Sequence, residues 1–163
     1  MAGKLYITLL FFVLISCTKK PVLVNKFVGN WYDTKYRVPG RSVLKIKKDS
    51  SFSYKGAGCD WRIFSKGKWK MIGDSIQLTS INSDTCYVIM PFIFCKSFGE
   101  YDRNRVTIPN CDPSENSGFV SFSKEIFYIK NDSLIYKLKK ESQCPDSIKI
   151  VYALTEKIRK HKQ

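Results

Sequence analysis

Leu44-Lys45-Ile46-Lys47-Lys48-Asp49-Ser50-Ser51-Phe52-Ser53-Tyr54-Lys55 reads as two strands with a turn between them. Leu44, Ile46, Phe52 and Tyr54 fall on one parity, and Lys45, Lys47, Ser53 and Lys55 on the other. Successive strand side chains point to opposite faces, so this alternation buries one face and wets the other. Asp49-Ser50-Ser51 supplies the turn, because Asp and Ser side chains hydrogen-bond their own local backbone.

The same pattern runs outward from there. In residues 63–72, Gly67, Trp69 and Met71 share one face, and Lys66, Lys68 and Lys70 the other. Gly73-Asp74 then makes a two-residue turn into Ser75-Ile76-Gln77-Leu78-Thr79, a strong hairpin signal. Asn131-Asp132 enters a strand at Ser133 in the same way, and Pro145-Asp146-Ser147-Ile148 is a looser relative. Further strands are expected over 85–97, 100–111, 119–123, 125–130 and 133–140. Pro91 cannot donate to a ladder and marks an edge, bulge or break. A two-residue turn at Phe98-Gly99 would set Cys86 opposite Cys111, close enough for a disulfide. Ile148, Ile150, Tyr152 and Leu154 alternate as a closing strand, with a helix through Ile148, Val151, Tyr152, Thr155 and Ile158 as the competing reading. The expected fold is all-β: a single antiparallel barrel, or a β-sandwich, of about 8–10 short strands.

Leu44, Ile46, Phe52, Tyr54, Trp69, Ile76, Leu78, Leu134, Tyr136 and Leu138 are the expected inward side chains, and Trp61 is expected in the core as well. An eight-stranded barrel can be packed solid or hold one small ligand, and the sequence leaves both open.

The N-terminus has a different character. Lys4 precedes an apolar run over residues 5–16 that ends in Leu14-Ile15-Ser16-Cys17. The run is too short to span a bilayer but suits a signal peptide. Its end resembles the lipobox of bacterial lipoproteins, which implies cleavage before Cys17 and lipidation of that residue. The expected organisation is a signal over 1–16, a lipidated N-terminus and tether over 17–26, a barrel over 27–155 and a basic tail over 156–163. Thr18 after the cysteine resembles the pattern of outer-membrane lipoproteins, so the resemblance places the chain on the envelope of a Gram-negative bacterium. Gly29-Asn30-Trp31 resembles the Gly-x-Trp of lipocalins, in which the Trp closes one end of an eight-stranded barrel and the other end admits an apolar ligand. Lipocalin-like lipoproteins of this build occur in the Bacteroidota. Asp-Ser before Ile or Leu, as at Ser75, Ser133 and Ser147, also resembles an O-glycosylation site of that phylum.

Charge narrows the partners. The chain carries 28 Lys and Arg against 14 Asp and Glu, a formal net charge of +14. Lys45, Lys47, Lys66, Lys68 and Lys70 form the candidate outward patch for anionic lipid or an acidic glycan. An exported chain argues against nucleic acid as the partner. Cys59, Cys86, Cys95, Cys111 and Cys144 sit in a compartment where disulfides persist, and five leaves one thiol over.

Catalytic and metal signals are absent from this reading. The one histidine, His161, lies in the tail, no cysteines are spaced as a metal or redox pair, and most acids fall in turns. No catalytic residue, metal or cofactor is expected. The sequence thus predicts an anchored lipocalin-like module for a small apolar or amphipathic ligand, or else a non-catalytic interaction protein working through its lysine face.

Overall fold

The computed structural model describes residues 26–34, 40–93, 95 and 105–156. Ten strands are assigned: β1 Gly29–Asp33, β2 Arg41–Ile46, β3 Ser51–Ala57, β4 Arg62–Ile72, β5 Ser75–Ser80, β6 Val88–Pro91, β7 Ser117–Ser121, β8 Glu125–Lys130, β9 Ser133–Lys137 and β10 Val151–Ala153. Eight of them close an antiparallel ring in the order β3-β2-β1-β10-β9-β8-β5-β4, with β4 returning to β3. β6 and β7 lie outside the ring. The fold is therefore a closed eight-stranded β-barrel with a two-stranded extension.

Local chemistry explains the hairpins. At the β2–β3 turn Ser50 takes a positive φ of 62°, and Lys47 N donates to Ser51 O. Asp49 Oδ1 accepts from Ser51 N at 3.0 Å and from Ser51 Oγ at 2.6 Å. The β4–β5 turn uses Gly73 at φ 60°, a conformation that costs glycine little. Asn131 and Asp132 both adopt positive φ, 49° and 55°, which gives the two-residue β8–β9 turn the twist a hairpin prefers.

β4 is the organising strand. Its Arg62–Lys68 stretch pairs with β3, while its other edge is shared. Gly67–Ile72 pairs with β5, and Arg62–Phe64 pairs in parallel with β7. The purely antiparallel expectation thus holds for the ring but not for the extension, where β6–β7 is parallel too. Ser80 bridges the gap where β5 stops: its Oγ donates to Val120 O at 3.2 Å and accepts from Phe122 N at 2.8 Å. Ser65 then donates to Ser80 Oγ at 2.7 Å. Lys124, with φ 57°, lies in the bend that carries the chain from β7 into β8.

The barrel interior is aromatic. Phe27, Trp31, Phe52, Phe122, Phe127 and Tyr152 are fully buried there, and each such side chain contributes about 1.5–3 kcal/mol of burial; Phe119, equally buried, packs on Phe64 under the β7 extension. Phe92, from the segment after β6, stacks on Phe122 at 4.5 Å and meets Phe127 at 5.5 Å and Tyr136 at 5.2 Å edge-on. At the end where the chain enters, Trp31 Nε1 donates to Phe27 O at 2.7 Å and closes the barrel floor. A Cβ at Gly67 would collide with the Thr79 carbonyl and the Phe52 ring, so glycine is required at that close approach.

Several expectations are corrected. Met71 has the inward parity of Trp69 but is exposed, because the β4–β5 hairpin runs past the barrel end. Leu154 is exposed because β10 stops at Ala153. The segment after Ile148 is extended and pairs with β1 and β9, which removes the helical alternative. Among the described residues of the expected strand over 85–97, only β6 forms. Phe98-Gly99 and residues 100–104 lie outside the described residues, but the register argued from them is wrong. It would oppose Val88 to Pro109, whereas Val88 faces Val106.

Candidate functional site

The closed floor leaves the opposite end of the barrel as a mouth, where β1 and β3 finish and β2 and β4 begin. A cavity of about 450 Å³ opens there. Tyr54, Ile63, Trp61 and Met90 supply its apolar surface, Ser42 and Asp33 its polar surface, and Arg41, Arg62 and Glu115 its charged groups.

Strand parity positions these groups. Ser42 continues the inward face of Leu44 and Ile46, Tyr54 that of Phe52, and Ile63 that of Ser65 and Gly67. Asp33 continues the face of Trp31, and its Oδ1 accepts from Ser42 N at 3.1 Å. Gly40 packs under the Trp61 indole, where a Cβ would clash with the ring. Gly118 lets β7 lie against Met90 and Ile63. Phe92 covers the other side of the mouth over Phe127 and Tyr136, so the space that remains lies between β1–β4 and the β6–β7 extension.

The electrostatics of the cavity's inner wall are set by hydroxyls. Burial pushes the Tyr54 phenol above its ordinary range, against the opposing effect of hydrogen bonds to Ser42 and Tyr152. Burial raises Tyr152 further. Both stay neutral at physiological pH, so that wall offers uncharged donors and acceptors. At the rim Arg41 Nη1 pairs with Glu156 Oε1 at 2.9 Å. Ion pairs of the described residues do not include Arg62, whose backbone N donates to Asn116 O at 2.8 Å.

A buried charge cluster sits beside the mouth. Glu125 is 5% exposed; its Oε2 accepts from Tyr136 Oη at 2.6 Å and its Oε1 from Lys139 Nζ at 2.7 Å. Lys139 Nζ also donates to Ser123 O at 2.6 Å. Burial, then the bond to Glu125, holds the Tyr136 phenol well above its usual range. Every polar atom of the carboxylate has a partner, which marks a clasp between β8 and the end of β9.

The residues singled out in the sequence are dispersed. Gly29 and Trp31 belong to the closed end, far from the cavity. Lys45 and Lys66 flank Ser53 on adjacent strands, and Lys68 and Lys70 follow on β4 opposite Thr79 and Gln77. Strands β2 and β4 are not neighbours: β3 lies between them and contributes Ser51, Ser53 and Lys55 to the same outer face. Asp84 pairs with Lys66 at 3.7 Å. Lys47 lies at the β2–β3 turn, where its carbonyl accepts from Trp69 Nε1 at 2.9 Å. Cys86 and Cys111 are bonded, with Cα atoms 5.9 Å apart, despite the altered register. Cys95 and Cys144, left unassigned by sequence, are bonded across a Cα separation of 5.1 Å. Cys59 is free and exposed. Cys17 lies outside the described residues.

Sequence reading missed most of the mouth. Trp61, expected in the core, is half-buried on the rim. Asp33 and Ser42 could have been found by extending each strand's parity past its last apolar residue, whereas Arg62 has the outward parity of Lys66 and reaches the mouth only because it opens β4. Met90 and residues 115–118 could not, because a parallel pairing brings them in.

Among the described residues no group of three or more His, Cys, Asp or Glu could hold a metal ion. No helix there is long and apolar enough to cross a membrane. Comparison with family models, curated proteins and solved structures returned no match to this chain.

Proposed function

We propose that this protein is a lipid-anchored, lipocalin-like binding module of a bacterial cell envelope that holds a small amphipathic ligand at the barrel mouth. The observation that carries the reading is the 450 Å³ cavity at the open end. Its size lies in the usual range for ligand sites, about 300–1,000 Å³, as does its make-up of apolar walls with a few placed polar groups. An apolar body packs against Trp61, Ile63 and Met90, and a polar group meets the Tyr54 and Ser42 hydroxyls or the Arg62 guanidinium. The ligand occupies the mouth and not the full depth, because the aromatic cluster fills the lower barrel.

The anchor belongs to the same reading. It rests on the apolar run over residues 5–16 and on Leu14-Ile15-Ser16-Cys17, and it places the chain on the outer membrane. The barrel itself does not present the apolar outer band of a membrane-spanning barrel, since Lys45, Lys66, Lys68 and Lys70 face outward and are exposed. The protein acts by binding and not by catalysis, a reading supported by the single histidine in the tail and by the fully partnered Glu125.

Trp61 is a built-in reporter, because Trp31 and Trp69 are buried away from the mouth. Titration of the full chain with a bromine-labelled fatty acid is expected to quench Trp61 fluorescence saturably, and Trp61→Phe removes that quenching. Quenching of equal size in Trp61→Phe would rule out binding at the mouth.

A further inference from the structure

The closed end of the barrel carries a surface that the ligand site does not use. Four large apolar side chains are exposed among the described residues: Met71, Ile72, Ile81 and Leu154. Three of them gather at this end. Met71 and Ile72 precede the β4–β5 turn, which runs beyond the β2–β3 turn because Trp69 N already pairs with Ser50 O. Leu154 lies beside Gly29 at the start of β1. Lysines surround them: Lys26 at the chain entry, Lys47 and Lys48 at the β2–β3 turn, Lys68 and Lys70 on lower β4, and Lys130 at the β8–β9 turn, all exposed.

Acids are present as well. Asp49, Asp74 and Asp132 occupy the three turns. Asp49 is drawn into its own turn by Ser51, whose side-chain and backbone hydrogen bonds hold its pKa below the usual value. Six lysines against three aspartates leave the end positive. Exposed apolar tips ringed by lysine are the composition that seats a surface in the headgroup region of an anionic bilayer. The chain outside the described residues ends here too: residues 1–25, with their apolar run, lead directly into Lys26 and Phe27.

We infer that the closed end docks on the anionic leaflet, with Met71 and Ile72 dipping into the interface and the lysines on the phosphates. The mouth then points away from the bilayer, and the ligand is taken from the aqueous side and not drawn out of the membrane below. The inference is independent of whether the cavity binds anything.

Two labels test it. Cys59 is exposed in the β3–β4 loop at the mouth end, and Met71→Cys in a Cys59→Ser background places a label at the closed end. The full chain, carrying a thiol-linked fluorophore at one position or the other, is reconstituted in phosphatidylcholine–phosphatidylglycerol vesicles containing nitroxide-labelled lipid. Quenching is expected to be severalfold greater at position 71 than at 59. The difference falls with salt, with pure phosphatidylcholine, and with Glu in place of Lys47, Lys48, Lys68 and Lys70. Equal quenching at the two positions, stronger quenching at 59, or a difference indifferent to anionic lipid overturns the inference. The Trp61 titration is read separately, so failure of either leaves the other standing.

Discussion

Glu125 is a charged side chain inside the barrel, and its neighbours show why the fold tolerates it. A buried carboxylate is costly unless paired and hydrogen-bonded; here Tyr136 and Lys139 take one oxygen each. Removing a partner leaves the other's demand unmet. Lys139→Met is expected to destabilise by about 2 kcal/mol, below the range for a fully buried pair because the lysine is partly exposed. Tyr136→Phe is expected to cost about 1–2 kcal/mol. Urea unfolding of each variant checks both, and a loss under a few tenths of a kcal/mol would show that the clasp carries no stability. Little of this was legible in the sequence. Tyr136 was readable as an inward residue by parity, but nothing local says that Glu125 shares its face. Trp61 misled for a related reason: tryptophan is usually buried, yet this one follows a loop and stands over Gly40 at the rim.

At the scale of elements, turns and alternation were the most readable features. Both are properties of a few adjacent residues. Ser50, Gly73, Asn131 and Asp132 take the positive φ that their turns demand, and the hairpins they join fall where the sequence placed them. Asn131→Val puts a β-branched residue into left-handed backbone and is expected to cost about 1–2 kcal/mol, lowering the thermal midpoint. Asp132→Gly at the neighbouring position should be neutral or stabilising. A midpoint unchanged in Asn131→Val would contradict the turn assignment. The β6–β7 extension was not readable, because its parallel pairings join β7 to β4 and to β6, both distant in the chain, and leave no short-range periodicity. The Cys86–Cys111 bond was reached through a register that the structure does not contain. The two segments do lie together, but their pairing in detail depends on a turn whose length the sequence does not determine.

The whole molecule is a barrel with two unlike ends. Phe27 and Trp31 seal one, and the cavity opens the other. Its pH response follows from the tyrosines. Burial raises Tyr54, Tyr136 and Tyr152 above the ordinary phenol value of 10.0. Above that value the unfolded chain loses these protons while the folded barrel retains them. Folding stability is therefore fully present below pH 10.0 and falls as pH rises through the folded-state values. Tyrosinate absorbance followed together with circular dichroism should show these three ionising only as the barrel unfolds. Their titration in an intact barrel would contradict the burial.

The hollow mouth above a solid aromatic floor is what separates a binding module from a purely structural one. Native mass spectrometry of the full protein, isolated from its source cells without denaturation, addresses that difference directly. Bound mass that survives gentle ionisation, disappears on denaturation and is lost in Ile63→Trp, which fills the cavity from β4, is the predicted result. A mass equal to that of the denatured protein with its two disulfides, unchanged in Ile63→Trp, would contradict it.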